Sequence, residues 1–246
     1  MFSIFRRRKI AENDLGILKT DMHSHVLPGI DDGSPDSETS LELIQGLKDL
    51  GYSKLIASPH ILWDMFKNDD RTIGYALEEG RKVLQEHHVE VELNAAAEYY
   101  MDEHFDDLVR TETPLRCIKD NLVLVEFSFV SPPLGLKEKL FDLQVRGYQP
   151  IIAHPERYLY FAENKSWYDE IVHAGCYLQI NLLSLAGYYG KGALELAKYI
   201  YKKKLVHFLG TDLHHHRHLH ALRHAPGLMD HVKEVLDTGK IKNMEL

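Results

Sequence analysis

The sequence predicts an α/β fold of parallel strands joined by crossover helices. Three observations predict it. Seven short β-type runs recur along the chain, and helix-like stretches lie between them. Several runs are apolar without interruption, such as Leu122-Val-Leu-Val125 and Pro150-Ile-Ile-Ala153, which suits strands covered on both faces. The length, 246 residues, fits one domain with a sizeable core. A closed β/α barrel and an open doubly wound sheet both satisfy the alternation. The length matches a barrel of about 250 residues.

The β-type runs fall at residues 18–22, 54–58, 89–97, 122–127, 149–153, 176–181 and 205–210. After the first run, Leu41, Ile44, Leu47 and Leu50 recur at three-residue spacing. Ser34, Asp36 or Ser37 can cap that helix, and Gly51 can stop it. Residues 136–146 and 192–204 repeat the pattern, with cations near their ends. Residues 1–17 are expected to form a flexible N-terminal extension and residues 18–246 a single catalytic domain.

Composition narrows the function. Asp and Glu number 37 against 29 Lys and Arg, a net charge of −8 that argues against nucleic acid as a general partner. The two cysteines, Cys117 and Cys176, cannot build a disulfide framework, so a reducing cytoplasm is expected. No run approaches the ~18 apolar residues of a membrane span. The basic residues near the start are followed by Ala11-Glu-Asn-Asp14 rather than an apolar stretch, so they do not read as a signal peptide. They could tether the chain weakly to an anionic membrane, but a solvated terminus is the preferred reading.

Sixteen histidines stand out, and position sorts them. A β/α barrel builds its active site at the carboxyl ends of its strands. Those ends read Asp21-Met-His23-Ser-His25, Pro59-His60, Glu98, His154-Pro-Glu-Arg157 and Asp212-Leu-His214. In an extended strand, residues two apart face the same side, so Asp21, His23 and His25 can converge, as can Asp212 and His214. Imidazoles and carboxylates without thiolates suit Mn, Fe, Zn or Co. More than four such groups suggest more than one ion, with Glu98 able to bridge. Any one of these residues alone would be an ordinary hydrogen-bonded polar group. Their joint placement is what points to metal.

The ordered set Asp21-Met-His-Ser-His25, Leu27-Pro-Gly-Ile-Asp-Asp-Gly33, Ser58-Pro-His60, Ala97-Glu98, Ile152-Ala-His-Pro-Glu-Arg157 and Gly210-Thr-Asp-Leu-His214 resembles the PHP superfamily of metallophosphoesterases. It most resembles the bacterial PHP-type protein-tyrosine phosphatases of capsule and exopolysaccharide loci. The resemblance runs from about Lys19 to about His224. It implies a distorted seven-stranded, TIM-barrel-like (β/α) barrel and two to three divalent ions, manganese first, with iron, zinc or cobalt as alternatives. One ion would take His23, His25, Glu98 and Asp212. Glu98 would bridge to a second that also uses His154. Asp32, His60 and His214 would hold the third. Asp32 comes from the resemblance alone, since Asp31 and Asp32 otherwise read as turn residues before Gly33. Asp21 could instead orient a ligand from behind.

Arg157, three residues after His154, has a planar fork suited to two phosphate oxygens, against the plain alternative of a salt bridge with Glu156 or Glu163. The resemblance places a further phosphate-contacting arginine a few residues after His214. Arg217 is the candidate, with Arg223 second. His215, His216, His218 and His220 read as solvated residues rather than a secondary metal surface. Tyr99, Tyr100, Tyr158 and Tyr160 could stack on a substrate ring or pack the rim. Glu126 ends the fourth run and receives no role. A cysteine phosphatase is excluded, because the residues six beyond Cys117 and Cys176 are Val123 and Leu182, not arginine. The Gly187-Tyr-Tyr-Gly-Lys-Gly192 stretch lacks a phosphate-loop pattern and reads as a loop entering a helix.

The expected activity is hydrolysis of protein phosphotyrosine by a metal-activated water. The resemblance implies the tail of a membrane tyrosine autokinase as substrate. Two alternatives are a phosphatase for a small ester such as histidinol phosphate, and an inactive partner of a kinase. The second would be expected to lack ligands, and none is absent. Oligomeric state is not legible.

Overall fold

The structure, a computed structural model, describes residues 13–246. The reading of the basic start as a tether or a solvated terminus lies outside the described residues. Of residues 13–17, expected to be part of a flexible extension, Asp14 and Ile17 are exposed while Leu15 and Asn13 are tied to the domain. Leu15 is fully buried and donates its N–H to Leu50 O across 2.7 Å. The Asn13 amide donates to Leu222 O at 2.7 Å.

The strands are β1 (Thr20–Asp21), β2 (Lys54–Ala57), β3 (His60–Ile61), β4 (Glu92–Ala95), β5 (Glu98–Tyr100), β6 (Leu122–Glu126), β7 (Gln149–Ala153), β8 (Tyr177–Asn181) and β9 (Phe208–Gly210). The helices are α1 (Ser37–Asp49), α2 (Asp70–Glu86), α3 (Glu103–Arg110), α4 (Leu136–Val145), α5 (Ser166–His173), α6 (Leu182–Leu185), α7 (Lys191–Lys202), α8 (His216–His224) and α9 (Leu228–Leu236). Every strand pairing is parallel, in one sheet ordered β1-β2-β4 and another ordered β3-β5-β6-β7-β8-β9.

The second and third β-type runs each form one strand, β2 and β4, and a further short strand, β3 or β5, follows just beyond each run. Pro59, which has no N–H to give a ladder, separates β2 from β3. Ala96 and Ala97 separate β4 from β5. Beyond β1 and β9 the chain keeps pairing: Ser24 bridges Leu213 in parallel, His25 N–H donates to Leu213 O at 2.9 Å, and Asp212 N–H to His23 O at 2.7 Å.

Aspartates start the early helices. Of the three candidate caps for α1, Asp36 fills the role, accepting from Thr39 N. Asp69 forms a capping box with Thr72 on α2, and Asp102 caps α3. The larger apolar cluster lies between strands and helices, with Leu43, Ile44 and Leu47 of α1 fully buried in it. A smaller cluster takes Met22, Ile56, Ala96, Leu124, Ile151 and Phe208, from six of the seven strand paths, and Tyr177 of β8 packs against it. Among the described residues no helix is long and apolar enough to cross a membrane.

Candidate metal centre

The polar side chains collect where the strands end. His23 and His25 follow β1, His60 opens β3, Glu98 opens β5, Glu126 closes β6, His154 follows β7, and Asp212 and His214 follow β9. Of these, His60, Glu126, His154, Asp212 and His214 line a cavity of about 310 Å³, together with Asp32, Phe129, Arg157, Tyr189, His215 and His218, while His23, His25 and Glu98 are fully buried.

Glu98 is the hub. Its Oε2 lies 3.1 Å from His60 Nδ1, 3.3 Å from His23 Nε2 and 3.4 Å from His25 Nε2, while its Oε1 lies 3.2 Å from His154 Nε2. Asp212 Oδ1 lies 3.4 Å from His23 Nε2 and 3.5 Å from His25 Nε2. Asp32 stands at the mouth, its Oδ1 3.6 Å from both His60 Nε2 and His214 Nε2. Four sets place their donor atoms close enough together to share a cation: His23–His25–Glu98, His23–His154–Asp212, His60–Glu98–Glu126 and His25–Asp32–His60–His214. All eight sequence-derived ligands fall in these sets, and Glu126 joins them.

The polar accounting fits cations. Glu98 Oε2, His60 Nδ1 and His154 Nδ1 are buried without a hydrogen-bond partner. Such atoms are costly in a native interior unless something else satisfies them. Burial works to raise the Glu98 carboxyl, but His23 and His60 beside it hold it well below the usual range. Burial and the Glu98 charge push the Glu126 carboxyl well above it. Burial brings His154 down to about 4, leaving it a neutral donor at ordinary pH.

A second layer aims these groups. His23 Nδ1 donates to Gln179 Oε1 at 2.8 Å, which leaves Nε2 for the centre. Gln179 donates to Asn181, and Asn181 to Asp212 Oδ2 at 2.7 Å, closing the circuit. Asp21 does not join the ligands. It accepts from the N–H and hydroxyl of Thr211, so it positions the residue before Asp212. His154 and Asp212 both have left-handed backbones, with φ of 32° and 50°. Such strain in non-glycine residues gathers at functional sites.

Arg157 reaches the pocket, and its NH1 donates to Asp212 Oδ2 at 2.9 Å. Glu156 is not its partner: that side chain is buried and accepts from Asn181 N and Ser184 Oγ. Arg217 does not reach the pocket. It is exposed on the first turn of α8, where Leu219 packs against bare Gly46 of α1 and turns His218 inward instead. Arg223 pairs with Asp49. The solvated reading holds for exposed His216 and His220 but not for His218, which is 8% exposed and lines the cavity, nor for His215, which caps α8 beside it. Of the four candidate tyrosines, Tyr99 and Tyr158 are buried, and none lines the cavity. Phe129 and Tyr189 do.

Sequence reasoning passed over Asp31, Glu126, Gln179 and His218. Glu126 carried a signal, since it ends a strand as the assigned ligands do. Asp31 carried one only through its neighbour.

The parallel strands and ligand-rich pocket define an α/β protein with a candidate multinuclear metal centre at its strand ends. The chain belongs to the capsular polysaccharide synthesis CpsB/CapC family, whose model matches residues 19–237. It is 30% identical over 194 residues to tyrosine-protein phosphatase YwqE of Bacillus subtilis, covering 79% of this chain and 76% of YwqE. It is 28% identical over 201 residues to tyrosine-protein phosphatase CpsB of Streptococcus pneumoniae, covering 79% of this chain and 82% of CpsB. Its fold is similar to a chain from the crystal structures of YwqE and CpsB, described as metal-dependent tyrosine phosphatases, with a TM-score of 0.77 and 28% identity over 89% of this chain and 85% of that one.

Proposed function

We propose that this chain is a metal-dependent phosphatase that removes phosphate from protein tyrosine. The observation that carries the reading is the convergence of five imidazoles and four carboxylates on one pocket that Arg157 also borders. The relatives are named tyrosine-protein phosphatases.

His23, His25, Glu98 and Asp212 would hold one ion, Glu98, Glu126 and His154 a second, and Asp32, His60 and His214 a third. Manganese is the first choice. Divalent ions supply water activation and charge neutralisation on phosphoryl oxygens. The chain's own part is positional. Gln179 and Asp31 fix the faces of His23 and His25. Asp212 gives one oxygen to the imidazoles and the other to Arg157, whose remaining donors can bind phosphate oxygens.

The strands are read as one closed seven-stranded barrel. The Ser24–Leu213 pairing and the smaller apolar cluster, which takes buried residues from six of the seven strand paths, support this. A membrane tyrosine autokinase in the same cell is the proposed substrate, and the cytoplasm the proposed compartment, with Cys117 and Cys176 both free thiols.

Purified protein of measured metal content, assayed on a phosphotyrosyl peptide and on histidinol phosphate, tests the reading. Turnover of the peptide, lost on chelation and restored by manganese, is expected. Undiminished turnover after verified metal removal would overturn it, as would activity confined to histidinol phosphate.

A further inference from the structure

Arg157 lies with its guanidinium over two aromatic rings. Its guanidinium carbon lies 4.5 Å from the Phe129 ring centre and 4.4 Å from that of Tyr189. The three residues come from three separate loops: Phe129 after β6, Arg157 after β7 and Tyr189 after α6. One edge of the guanidinium is also fixed, because NH1 donates to Asp212 Oδ2. Among the described residues no protein acceptor meets its other donors. A planar cation seated against two rings and tied by NH1 to Asp212 has little freedom to turn, and its remaining donors are left for the pocket it lines.

We infer that Phe129 and Tyr189 form an aromatic clamp that positions Arg157, so that its free edge meets the phosphoryl group without first giving up rotamer freedom. This inference rests on the phosphatase reading above. It also gives a role to the Gly187–Gly192 loop, which had none from its sequence. The two rings act differently. Phe129 is 46% exposed, and it also stacks near His154, with ring centres 5.6 Å apart. The Tyr189 hydroxyl is buried with no hydrogen-bond partner, so the ring face, not the hydroxyl, is what Tyr189 offers.

Two readouts test the clamp on the metal-loaded full chain: KM and kcat for a phosphotyrosyl peptide, and the affinity for inorganic phosphate. Tyr189→Leu and Phe129→Leu should each raise KM and weaken phosphate binding about tenfold, with a smaller change in kcat. Tyr189→Phe keeps the ring and should restore most of what Tyr189→Leu loses. In an Arg157→Ala background, Tyr189→Leu should add less than about a twofold further loss, because the ring acts through the arginine. Losses that simply multiply in that background would overturn the clamp, as would failure of Tyr189→Phe to rescue. Metal content and melting temperature, measured on each variant, separate these results from misfolding. Should the wild type turn over no phosphotyrosyl peptide, the phosphatase reading fails, and the phosphate affinities still decide the clamp.

Discussion

Asp31 and His25 form a carboxylate–imidazole pair in which His25 Nδ1–H donates to Asp31 Oδ2 across 2.7 Å. The same oxygen accepts from His60 N–H at 3.1 Å, and Oδ1 accepts from Gly33 N–H at 3.0 Å. One turn carboxylate therefore orients two ligands at once. Burial would raise this carboxyl, but His25 beside it holds it below the usual range. The turn itself depends on Gly33: a Cβ there would fall 2.0 Å from His25 O.

Asp31→Ala should therefore weaken the centre without removing any ligand. Losing a carboxylate behind a metal-bound histidine typically costs about 10–100-fold in affinity. Competition with a chelator of known affinity measures it. Unchanged affinity would mean that His25 is oriented by its packing alone.

Glu126 separates metal binding from folding. Without metal, burial and the neighbouring Glu98 charge push its carboxyl well above the usual range, which favours the neutral form. Glutamine copies the shape and polarity of that neutral form, so Glu126→Gln should shift the melting temperature of chelated protein by no more than about 2 °C. A cation shared with His154 and Glu98 needs the carboxylate. The variant should therefore bind about one ion fewer per chain by elemental analysis. A full complement of metal in Glu126→Gln would remove Glu126 from the ligand set.

Metal removal should destabilise the whole domain. The centre draws on residues beside six strands, so ions bound only by the folded chain act as staples across the fold. At a free metal concentration a thousandfold above Kd, each ion contributes about 4 kcal/mol. For a chain of this size, 1 kcal/mol moves Tm by about 2–4 °C. Calorimetry with and without chelator should show a fall of at least 8 °C, about the effect of one such ion.

Seven of the eight candidate ligands were legible because each sits near the end of a β-type run, where a local pattern marks its place, whereas Asp32 came only from the resemblance. What escaped depends on contacts far apart in sequence. Arg217 and His218 are neighbours, and nothing local says which faces the pocket. The packing of Leu219 against Gly46, well over a hundred positions earlier, decides it. Asp31 and Asp32 divide their work in the same way: one turns in to His25 and the other stands at the mouth, 3.6 Å from His60 and His214. The short strands β3 and β5 begin just past the readable runs, after Pro59 and Ala97, and they show only when the partner strand is known.

His207 should govern part of the acid sensitivity away from the metal centre. Its Nδ1 accepts from Leu178 N–H on β8 at 3.3 Å, a bond that requires the nitrogen to be unprotonated. Burial, then Lys242 and Lys240 nearby, brings its pKa down to about 4. The unfolded chain binds this proton near the usual value of about 6.5. Between those two values the unfolded state therefore carries more protons than the native state, and stability falls as pH drops. The loss begins near pH 6.5 and levels off below about pH 4. Asparagine can offer an oxygen to Leu178 without titrating. His207→Asn should thus show a shallower decline in urea midpoint between pH 7 and 5 than the parent, with both proteins stripped of metal so that ligand protonation does not enter. Equal slopes would show that His207 takes up its proton in the native state as readily as in the unfolded one.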